Sequence, residues 1–385
     1  MTETPLLDEA ETGPWPSVVT EMKKAEYEGL LAIYELAYKD KVTHWAHGGM
    51  VGYPGYDAGV IGRLSDRPDI MRDSHTLRII QTAGWIYSTD KLRKLSEIWD
   101  KYGTGLINFH GATADIQLLG CPTDNIEPCF DELAKEHWDF GGSAGDYRTP
   151  SCCIGPIRCE MAMIDAPGIL HTIMTDPVFL EDMHRPRFPY KFKIKISGCP
   201  TDCSASVARA DLAIVGTWKD AMKVDQGEVK NYADAGLDIN HIVSKCPADA
   251  MEWDGNELKV DNDNCVRCMY CLQKMSKALR PGDDRGATIL MGGRARGRYG
   301  AFLGWVLVPF MKVSPPYKEI FPDLVTKLTD WWDEHGRSKE RIGETIYRIG
   351  TGKFLYETGI KALPTMVQAP RSNPFWFYWP GEVKE

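Results

Sequence analysis

Residues 265–271 read C-V-R-C-M-Y-C and place Cys265, Cys268 and Cys271 in a C-x₂-C-x₂-C loop. A loop with this spacing can wrap three corners of a cubane iron–sulfur cluster, because successive thiolates reach neighbouring irons. The thiolate spacing therefore predicts a cluster that needs a fourth ligand from elsewhere in the chain.

The fourth ligand is expected at Cys246, because it is followed by Pro247 and ferredoxin loops take a further ligand from a Cys-Pro pair. Residues 250–253 and 257–260 predict a small hairpin that turns at Asp254-Gly255. We predict one [4Fe–4S] cluster in a half-symmetric ferredoxin fold. The alternative is a structural zinc site with four cysteines, which more often shows two separated C-x₂-C pairs.

The composition excludes several classes of protein. The 385 residues are 43% apolar and 26% charged, a balance that excludes disordered and fibrous chains. A formal net charge of −9 disfavours nonspecific nucleic-acid binding. No apolar run approaches the ~20 residues of a membrane span, and the acidic N-terminus does not resemble a signal peptide. We therefore expect a cytoplasmic protein whose eleven cysteines, an odd number, bind metal or carry redox chemistry instead of forming disulfides.

A second group of cysteines lies further towards the N-terminus. It combines a C-x₅-C pair, Cys153 and Cys159, with a C-x₃-C pair, Cys199 and Cys203. Residues 191–197 (K-F-K-I-K-I-S) lead into the second pair and predict a strand with its three lysines on one face. Three ammonium groups on one face repel one another unless an anion lies among them. An anion or anionic cofactor is expected there, and a solvated strand face is the alternative.

The motifs T-P-S-C-C-I-G-P-I-R-C-E (149–160) and K-I-S-G-C-P-T-D-C (195–203) resemble those of the sulfite and nitrite reductases that join sirohaem to a [4Fe–4S] cluster. The additional C-x₂-C-x₂-C module resembles the dissimilatory branch. The resemblance covers nearly the whole chain and favours the beta subunit of dissimilatory sulfite reductase over its paralogue, the alpha subunit. It implies an α+β class: a sirohaem-dependent sulfite reductase fold of mixed sheets with flanking helices, and an inserted ferredoxin-like [4Fe–4S] domain.

The expected domains follow from this resemblance. Residues 1–120 form an N-terminal arm and a first α+β sulfite reductase domain. Residues 121–216 plus 287–385 form the sirohaem/[4Fe–4S] domain and a C-terminal tail. Residues 217–286 form the inserted ferredoxin-like domain, because a strand at 210–216 has its natural continuation at 287–300.

Hydrophobic patterns predict the elements within these domains. Residues 1–16 are expected to form a polar arm, and the aromatic tail N-P-F-W-F-Y-W-P-G-E is expected to pack on the body or on a partner subunit. Helices are expected at 20–40, 91–102 and 126–135. Strands are expected at 76–80, 105–110, 192–196 and 210–215.

Roles for the cysteines follow from the resemblance, position by position. Cys153, Cys159, Cys199 and Cys203 would hold the cluster of the sirohaem domain, and the Cys203 thiolate would also bridge to the sirohaem iron. Cys152 is expected to be a buried thiol, because Cys153 and not Cys152 gives the five-residue spacing. Core packing is expected for the remaining two, Cys121 and Cys129.

Positive side chains are the candidates for binding sulfite and donating protons. By resemblance they are Arg78, Arg148, Lys191, Lys193, Lys195 and Arg209. Some of them would instead bind the carboxylates of sirohaem, and the sequence does not divide the two roles. The candidates for lining or binding the haem are His110, Gly111, Thr113, Gly292, Gly293, Arg294, Arg296 and Arg298. A solvated basic loop is the alternative for the Gly/Arg segment, and a hydrogen-bonded core histidine is the alternative for His110.

The expected activity is the six-electron reduction of sulfite toward sulfide, or toward a trisulfide on a carrier protein. By resemblance each chain would hold sirohaem and two [4Fe–4S] clusters, with electrons entering at the ferredoxin cluster. The expected assembly is an α₂β₂ heterotetramer with the paralogous alpha subunit, joined by a small sulfur-carrier (DsrC-like) gamma protein. The alternatives are a sirohaem nitrite reductase or assimilatory sulfite reductase, an electron-transfer or scaffold subunit with catalysis in its paralogue, and a plain zinc-binding module.

Overall fold

The structure, a computed structural model, describes residues 3–12, 23, 35, 50–51, 60–63, 75–80, 86–110, 115–142, 145–184, 187–295 and 300–362. The chain divides into two compact units. Unit 1 comprises Met1–Ser151, Leu170–Ile194 and Thr329–Thr345. Unit 2 comprises Cys152–Ile169, Lys195–Leu328 and Ile346–Glu385.

Unit 1 contains an antiparallel sheet. Its strands are β1 (Met50–Val51), β2 (Val60–Arg63), β3 (His75–Ile80), β4 (Leu106–His110), β5 (Asp115–Cys121) and β6 (Asp139–Phe140). They lie in the order β1-β2-β3-β5-β4, and β6 pairs with β3. Strand β5 is buried along its whole length between β3 and β4, and it buries the polar residues Asp115 and Gln117 beside its apolar ones.

Two amphipathic helices, Thr89–Tyr102 and Ile126–Lys135, supply the apolar core of this sheet. The first begins at a Ser88 cap, whose hydroxyl accepts a hydrogen bond from the Lys91 amide at 3.2 Å. It buries Trp99, whose indole N–H donates to the Leu106 carbonyl at 2.9 Å. Burial of each large apolar side chain stabilises such a core by about 1.5–3 kcal/mol.

The N-terminal residues differ from the polar arm expected at 1–16, because residues Pro5–Thr12 form a helix. The Glu35 carboxylate accepts hydrogen bonds from the Leu6 and Leu7 amides, both at 2.9 Å. A carboxylate at a helix N-terminus satisfies free amides and complements the helix dipole. Leu7 is fully buried. The helix is therefore stabilised by burial and by the contact with Glu35, which is distant in sequence.

Unit 2 contains a second sheet with the strand order β15-β14-β9-β8-β7. Its strands are β7 (Ser151–Cys152), β8 (Ile194–Ser197), β9 (Leu212–Trp218), β14 (Arg285–Met291) and β15 (Trp305–Met311), of which β7 and β8 begin in unit 1. Strands β9 and β14 pair antiparallel over their whole length, with Trp218 opposite Arg285 and Leu212 opposite Met291.

The chain between β9 and β14 builds a smaller body. Two short antiparallel pairs lie in it: β10 (Lys223–Val224) with β13 (Leu279–Arg280), and β11 (Met251–Trp253) with β12 (Leu258–Val260). The second pair is the predicted hairpin, and the Asp254 carboxylate closes its turn by accepting from the Asn256 and Glu257 amides at 2.8 and 2.7 Å. The α-helices of the described residues are Pro5–Thr12, Thr89–Tyr102, Ile126–Lys135, Ala166–Thr175, Pro177–His184, Ser206–Arg209, Gln226–Asp234, Ile239–Ser244, Tyr270–Lys274, Val325–His335, Ile342–Ile349 and Thr351–Thr358.

Several predicted elements are confirmed. The predicted strands correspond to β3, β4, β8 and β9, and the predicted helices at 91–102 and 126–135 are present. The lysine strand is shorter than expected, because β8 begins at Ile194 and Phe192 makes only an isolated bridge to Tyr147. The helix expected at 20–40 and the aromatic tail lie outside the described residues, apart from positions 23 and 35. Within the described ranges, no helix combines the length and apolarity needed to cross a membrane.

Candidate functional site

One carboxylate holds the loop that carries the C-x₃-C pair (residues 199–203). Asp202 has a φ of +53°, a left-handed conformation that is uncommon outside glycine. Its side chain accepts hydrogen bonds from the Ser197 hydroxyl (2.7 Å), the Ser206 amide (2.8 Å) and the Val207 amide (3.1 Å). These bonds connect the end of β8 to the short helix that follows. The side chains of both cysteines therefore project from a loop of defined shape.

The C-x₅-C pair is anchored to the same strand. The Cys153 amide donates to the Ile196 carbonyl at 3.0 Å, and the Gly198 amide donates to Cys153 Sγ at 3.0 Å. A Cβ atom on Gly198 would lie only 3.3 Å from that sulfur, so the small residue lets the backbone approach the thiol. The Cys159 amide donates to the Gly155 carbonyl at 3.0 Å, which closes the turn between the two cysteines.

The Cys203 thiol lies close enough to the other three thiols of the two pairs to be influenced by them. Partial burial raises the pKa of the Cys203 thiol, and three neighbouring cysteines raise it further. Those three are Cys199, Cys153 and Cys159. Cys152 differs from its neighbour Cys153: it is buried, and that burial raises the pKa of its thiol to about 12.

The C-x₂-C-x₂-C loop is positioned by the hairpin. The Cys265 amide donates to the Asp261 carbonyl at 3.0 Å, directly after β12 ends. The Asp261 carboxylate accepts from the Asp263 and Asn264 amides at 3.0 and 3.2 Å. Arg267 has a φ of +55°, and Arg267 Nη2 donates to the Lys219 carbonyl at 2.8 Å. The loop is therefore held at both its start and its middle.

In the second set of four cysteines, the Cys271 thiol lies near the other three. Burial raises the pKa of Cys271 to about 12, and the nearby thiols of Cys265, Cys268 and Cys246 raise it as well. The Ala250 amide approaches Cys246 Sγ at 3.4 Å, as an N–H group does toward a thiolate ligand. In the part of the chain that the structure describes, no group of three or more His, Cys, Asp or Glu side chains could hold a single metal ion.

The two cysteine sets share one apolar core within unit 2. Cys199 of the first set and Cys271 of the second are buried in the same cluster, together with Met163. Gln273 Nε2 also donates a 2.6 Å hydrogen bond to Thr201 Oγ1, which joins the loops of the two sets. The arrangement can bring two redox groups into one packed body.

Two of the predicted anion-binding arginines, Arg78 and Arg148, form ion pairs in unit 1. Arg78 on β3 lies 3.7 Å from the Asp115 carboxylate, measured from Nε to Oδ2. Arg148 is 5% exposed and pairs with Asp146, which is fully buried. Burial lowers the pKa of the Arg148 guanidinium, and Asp146 opposes this shift.

The other predicted basic residues lie in different settings. Lys191 is half-buried, with its ammonium 4.8 Å from the centroid of the Tyr190 ring. Lys193 is half-buried and precedes β8, whereas Lys195 is buried inside it. Arg209 ends the short helix after the cysteine loop and is exposed.

The Gly/Arg segment is packed inside unit 2 as far as it is described. The Gly292 amide donates to the Asp211 carbonyl at 2.8 Å, and Gly292 has a φ of +84°. A Cβ atom on Gly293 would lie 2.3 Å from the Val207 carbonyl oxygen, so this glycine is needed for packing within the chain. Arg294 is 1% exposed and stacks on Phe302, with 4.0 Å from Cζ to the ring centroid.

The remaining haem-lining candidates are only partly described. His110 ends β4 and is half-buried. In the antiparallel β4–β5 pair its backbone lies opposite that of Asp115. Gly111, Thr113, Arg296 and Arg298 lie outside the described residues.

Sequence reasoning missed three carboxylates, Asp115, Asp146 and Asp202. Asp146 stands two residues before Arg148 and Asp202 directly precedes Cys203, so both were near residues already chosen. The alternation of side chains in an extended segment could have placed Asp146 beside Arg148. No local signal pairs Asp115 with Arg78, because strand pairing brings them together.

Comparison with known proteins now defines the class. Residues 143–364 match the model of the nitrite and sulphite reductase 4Fe-4S domain, and residues 69–136 match that of the nitrite/sulfite reductase ferredoxin-like half domain. The chain belongs to the nitrite and sulfite reductase family, with the α+β fold expected of it. A structure of Mycobacterium tuberculosis NirA shares this fold at 13% identity, with a TM-score of 0.51 over 87% of this chain and 52% of that one.

Within the family the chain is an oxidoreductase of the dissimilatory sulfite reductase type. It is 42% identical to the dissimilatory-type sulfite reductase alpha subunit of Nitratidesulfovibrio vulgaris, over 99% of this chain and 95% of that protein. It is 41% identical to the alpha subunit of Allochromatium vinosum, over 97% of this chain and 93% of that protein. The crystal structure of dissimilatory sulfite reductase I superposes with a TM-score of 0.86 at 40% identity, covering 100% of this chain and 96% of that one.

The expected assignment to the beta subunit is wrong. The beta subunit of Archaeoglobus fulgidus is only 24% identical, over 83% of this chain and 87% of that protein, whereas the alpha subunits exceed 40%. The cysteine motifs of this chain did not by themselves distinguish the two subunits. Identity along the whole chain makes the distinction.

Proposed function

We propose that this chain is the alpha subunit of a dissimilatory sulfite reductase and takes part in reducing sulfite toward sulfide. Two sets of four cysteines within one compact unit carry this proposal, because Cys203 in one set and Cys271 in the other lie near the remaining three thiols of their set. Identity above 40% with two alpha subunits supports the subunit type. The partner is then a paralogous beta subunit in an α₂β₂ assembly, with a small sulfur-carrier gamma protein as a transient partner.

Each set of thiols is proposed to hold one [4Fe–4S] cluster. Thiolates are the ligands that such clusters take, and amide hydrogen bonds to the sulfurs tune them. The amides of Gly198 and Ala250 already face Cys153 Sγ and Cys246 Sγ. The ligand sets are Cys153, Cys159, Cys199 and Cys203, and separately Cys246, Cys265, Cys268 and Cys271. Shared packing of Cys199 and Cys271 supports electron passage between them.

Sirohaem is proposed to bind beside Cys203, whose exposed thiol could bridge cluster and haem. When bound, it supplies an iron that takes the sulfur of sulfite. The guanidinium of Arg294, together with Arg296 and Arg298, has the planar donors that suit carboxylates of the macrocycle. His110, Gly111 and Thr113 are proposed to line it. Close packing against the Val207 carbonyl explains why position 293 is glycine, so we assign Gly293 no direct contact with the cofactor.

The chain's cationic side chains are proposed to bind the anion and supply protons. Arginine stays protonated in proteins, so Arg78 and Arg148 can hold negative charge and orient it but cannot act as acids. Lysine can release a proton, so the lysines suit protonation of the oxygens that leave as water. They are Lys191, Lys193 and Lys195. Arg209 is proposed to bind either the substrate or a sirohaem carboxylate.

The ferredoxin-like body is proposed to be an insertion covering residues 217–286 between the parts of the sirohaem domain (121–216 plus 287–385), with residues 1–120 as the first domain. Its two ends must then lie side by side. Two contacts support this division: Trp218 pairs with Arg285, and the Lys219 amide donates to the Asp284 carbonyl at 2.9 Å.

Analysis of the purified complex tests the proposal. Iron, acid-labile sulfide and sirohaem would be measured per chain, and steady-state rates with sulfite would be compared with those for nitrite. The metal in the clusters and in the haem should be iron, and sulfite should be a better substrate than nitrite. Zinc in place of iron would overturn the proposal, and a clear preference for nitrite would move the chain to another branch of the family.

A further inference from the structure

Two Arg–Asp pairs with buried carboxylates occupy one region of unit 1. Asp115 is 2% exposed and pairs with Arg78, and Asp146 is 0% exposed and pairs with Arg148. The pairs also influence each other, because Arg148 is within electrostatic reach of both Arg78 and Asp115. The region therefore carries two positive and two negative charges at close quarters.

The backbone explains why Asp146 and Arg148 meet. Tyr147 makes an isolated parallel bridge to Phe192. The Arg148 amide donates to the Phe192 carbonyl at 2.8 Å, and the Phe192 amide donates to the Asp146 carbonyl at 2.9 Å. In an extended segment alternate side chains share a face, so Asp146 and Arg148 lie on one side. Tyr147 takes the other side and stacks on Phe179, with ring centroids 4.6 Å apart.

Glycines leave the carboxylates little room to move. A Cβ atom on Gly141 would lie 2.8 Å from Asp115 Oδ1, and one on Gly142 would lie 3.1 Å from Asp146 Cγ. The Gly142 carbonyl also accepts a 3.5 Å hydrogen bond from Arg78 Nη1. The backbone therefore packs directly against both carboxylates. This packing restrains the carboxylates and, through them, the guanidinium groups of Arg78 and Arg148.

Burial makes these acids necessary to the arginines. A guanidinium does not shed its proton, so a buried arginine needs a counter-charge when no anion is present. Two arginines near each other also repel, and each pair offsets that repulsion. An orienting carboxylate fixes the guanidinium plane, whose fork geometry decides how it meets an oxyanion.

We infer that Asp115 and Asp146 are positioning residues of the sulfite-reducing site, which hold Arg78 and Arg148 in the orientation that the substrate anion needs. This inference rests on the proposed function. The acids do not touch the substrate themselves: they act through the guanidinium groups.

The test uses Asp146→Asn and Asp115→Asn in the purified holoenzyme complex. Asp182→Asn is the matched control, because Asp182 is also a buried carboxylate of unit 1 and lies 3.2 Å from Arg187 Nε. The value of kcat per sirohaem and the KM for sulfite would be measured for each variant. The rise in thermal midpoint when sulfite is added to the oxidised complex gives sulfite binding without turnover.

Each Asn variant is expected to lower kcat per sirohaem about tenfold or more, because a small misplacement of a positioning group is costly. The KM for sulfite should not rise, and the rise in thermal midpoint on adding sulfite should not become smaller. Loss of a negative charge from the region favours binding of an anion. The control should match the unsubstituted enzyme in all of these. If Asp146→Asn does not fold, Asp146→Glu keeps the charge but shifts it, and should lower kcat several-fold.

Two results would overturn the inference. One is a kcat per sirohaem that is unchanged in Asp115→Asn and in whichever Asp146 variant folds. The other is an equal loss in the Asp182→Asn control, which would indicate a general structural effect. If the unsubstituted complex does not reduce sulfite, the proposed function fails as well; if it does and the variants match it, only this inference fails.

Discussion

Gln273 Nε2 donates a 2.6 Å hydrogen bond to Thr201 Oγ1, and this bond connects the two cysteine loops of unit 2. Thr201 lies between Cys199 and Cys203, and Gln273 follows Cys271 by two residues on the same short helix. A relay between two redox groups needs a fixed separation, so a contact between their loops has a direct bearing on it. Both side chains are exposed, so the bond is open to substitution without disturbing the core.

Thr201→Val should loosen the C-x₃-C loop, because it removes the hydroxyl but keeps the shape of the side chain. An exposed hydrogen bond contributes about 0.5–1 kcal/mol, so the fold should survive. Amide hydrogen exchange of residues 199–203 should become faster. Thr175→Val serves as a control, because its hydroxyl donates at 2.8 Å to the His171 carbonyl within helix Ala166–Thr175, outside the cysteine loops. Exchange at 199–203 that is equally fast in both variants and the parent would contradict the prediction.

Cys203→Ser and Cys152→Ser should behave differently, although both residues lie in cysteine-containing segments of unit 2. Cys203 is exposed beside three other thiols, whereas Cys152 is buried. Cys203→Ser should lower iron and acid-labile sulfide and abolish the coupled haem–cluster spectrum. Cys152→Ser should keep all three. An unchanged spectrum and iron content in Cys203→Ser would show that this cysteine is not a ligand.

Gly293→Ala should destabilise unit 2, whereas Gly352→Ala should not. A Cβ at 293 would meet the carbonyl oxygens of Val207 and Ala210 at 2.3 and 2.8 Å, and backbone cannot move aside cheaply. Overpacking of this kind costs about 1–3 kcal/mol. Gly352 lies in helix Thr351–Thr358 with nothing within 4 Å, so alanine there should be neutral or slightly stabilising. Thermal midpoints of the two variants give the comparison, and equal midpoints would argue against it.

Cys129 should make the unfolding free energy depend on alkaline pH. Burial, and then Glu132, raises the pKa of this thiol to about 12, above the ~8.5 of an unfolded cysteine. Its contribution is thus fully present below pH ~8.5 and is lost as the pH rises toward the folded value. Between pH 8 and 10 the loss is about 2 kcal/mol by linkage. Cys129→Ala should flatten the slope of stability against pH in that window, and an unaltered slope would contradict the assignment.

Short patterns along the chain predicted much of the candidate site. The C-x₂-C-x₂-C loop, the hairpin closed at Asp254 and the helix at 126–135 depend on residues a few positions apart, so their spacing was sufficient. The subunit type was not predicted correctly from Cys153, Cys199 or their neighbours. It depends on differences spread over the whole chain.

By itself the sequence determined that eight cysteines fall into two sets with iron–sulfur spacing and that a basic segment leads into one of them. Only the tertiary structure decided that Glu35 holds the helix at Pro5–Thr12, that Asp115 pairs with Arg78, and that Gln273 reaches Thr201. The spacing of the cysteines within each motif is a local feature, because those ligands lie only a few residues apart in the chain. Counter-charges and loop-to-loop bonds join residues far apart in the chain, and their pairing exists only once strands and loops have packed.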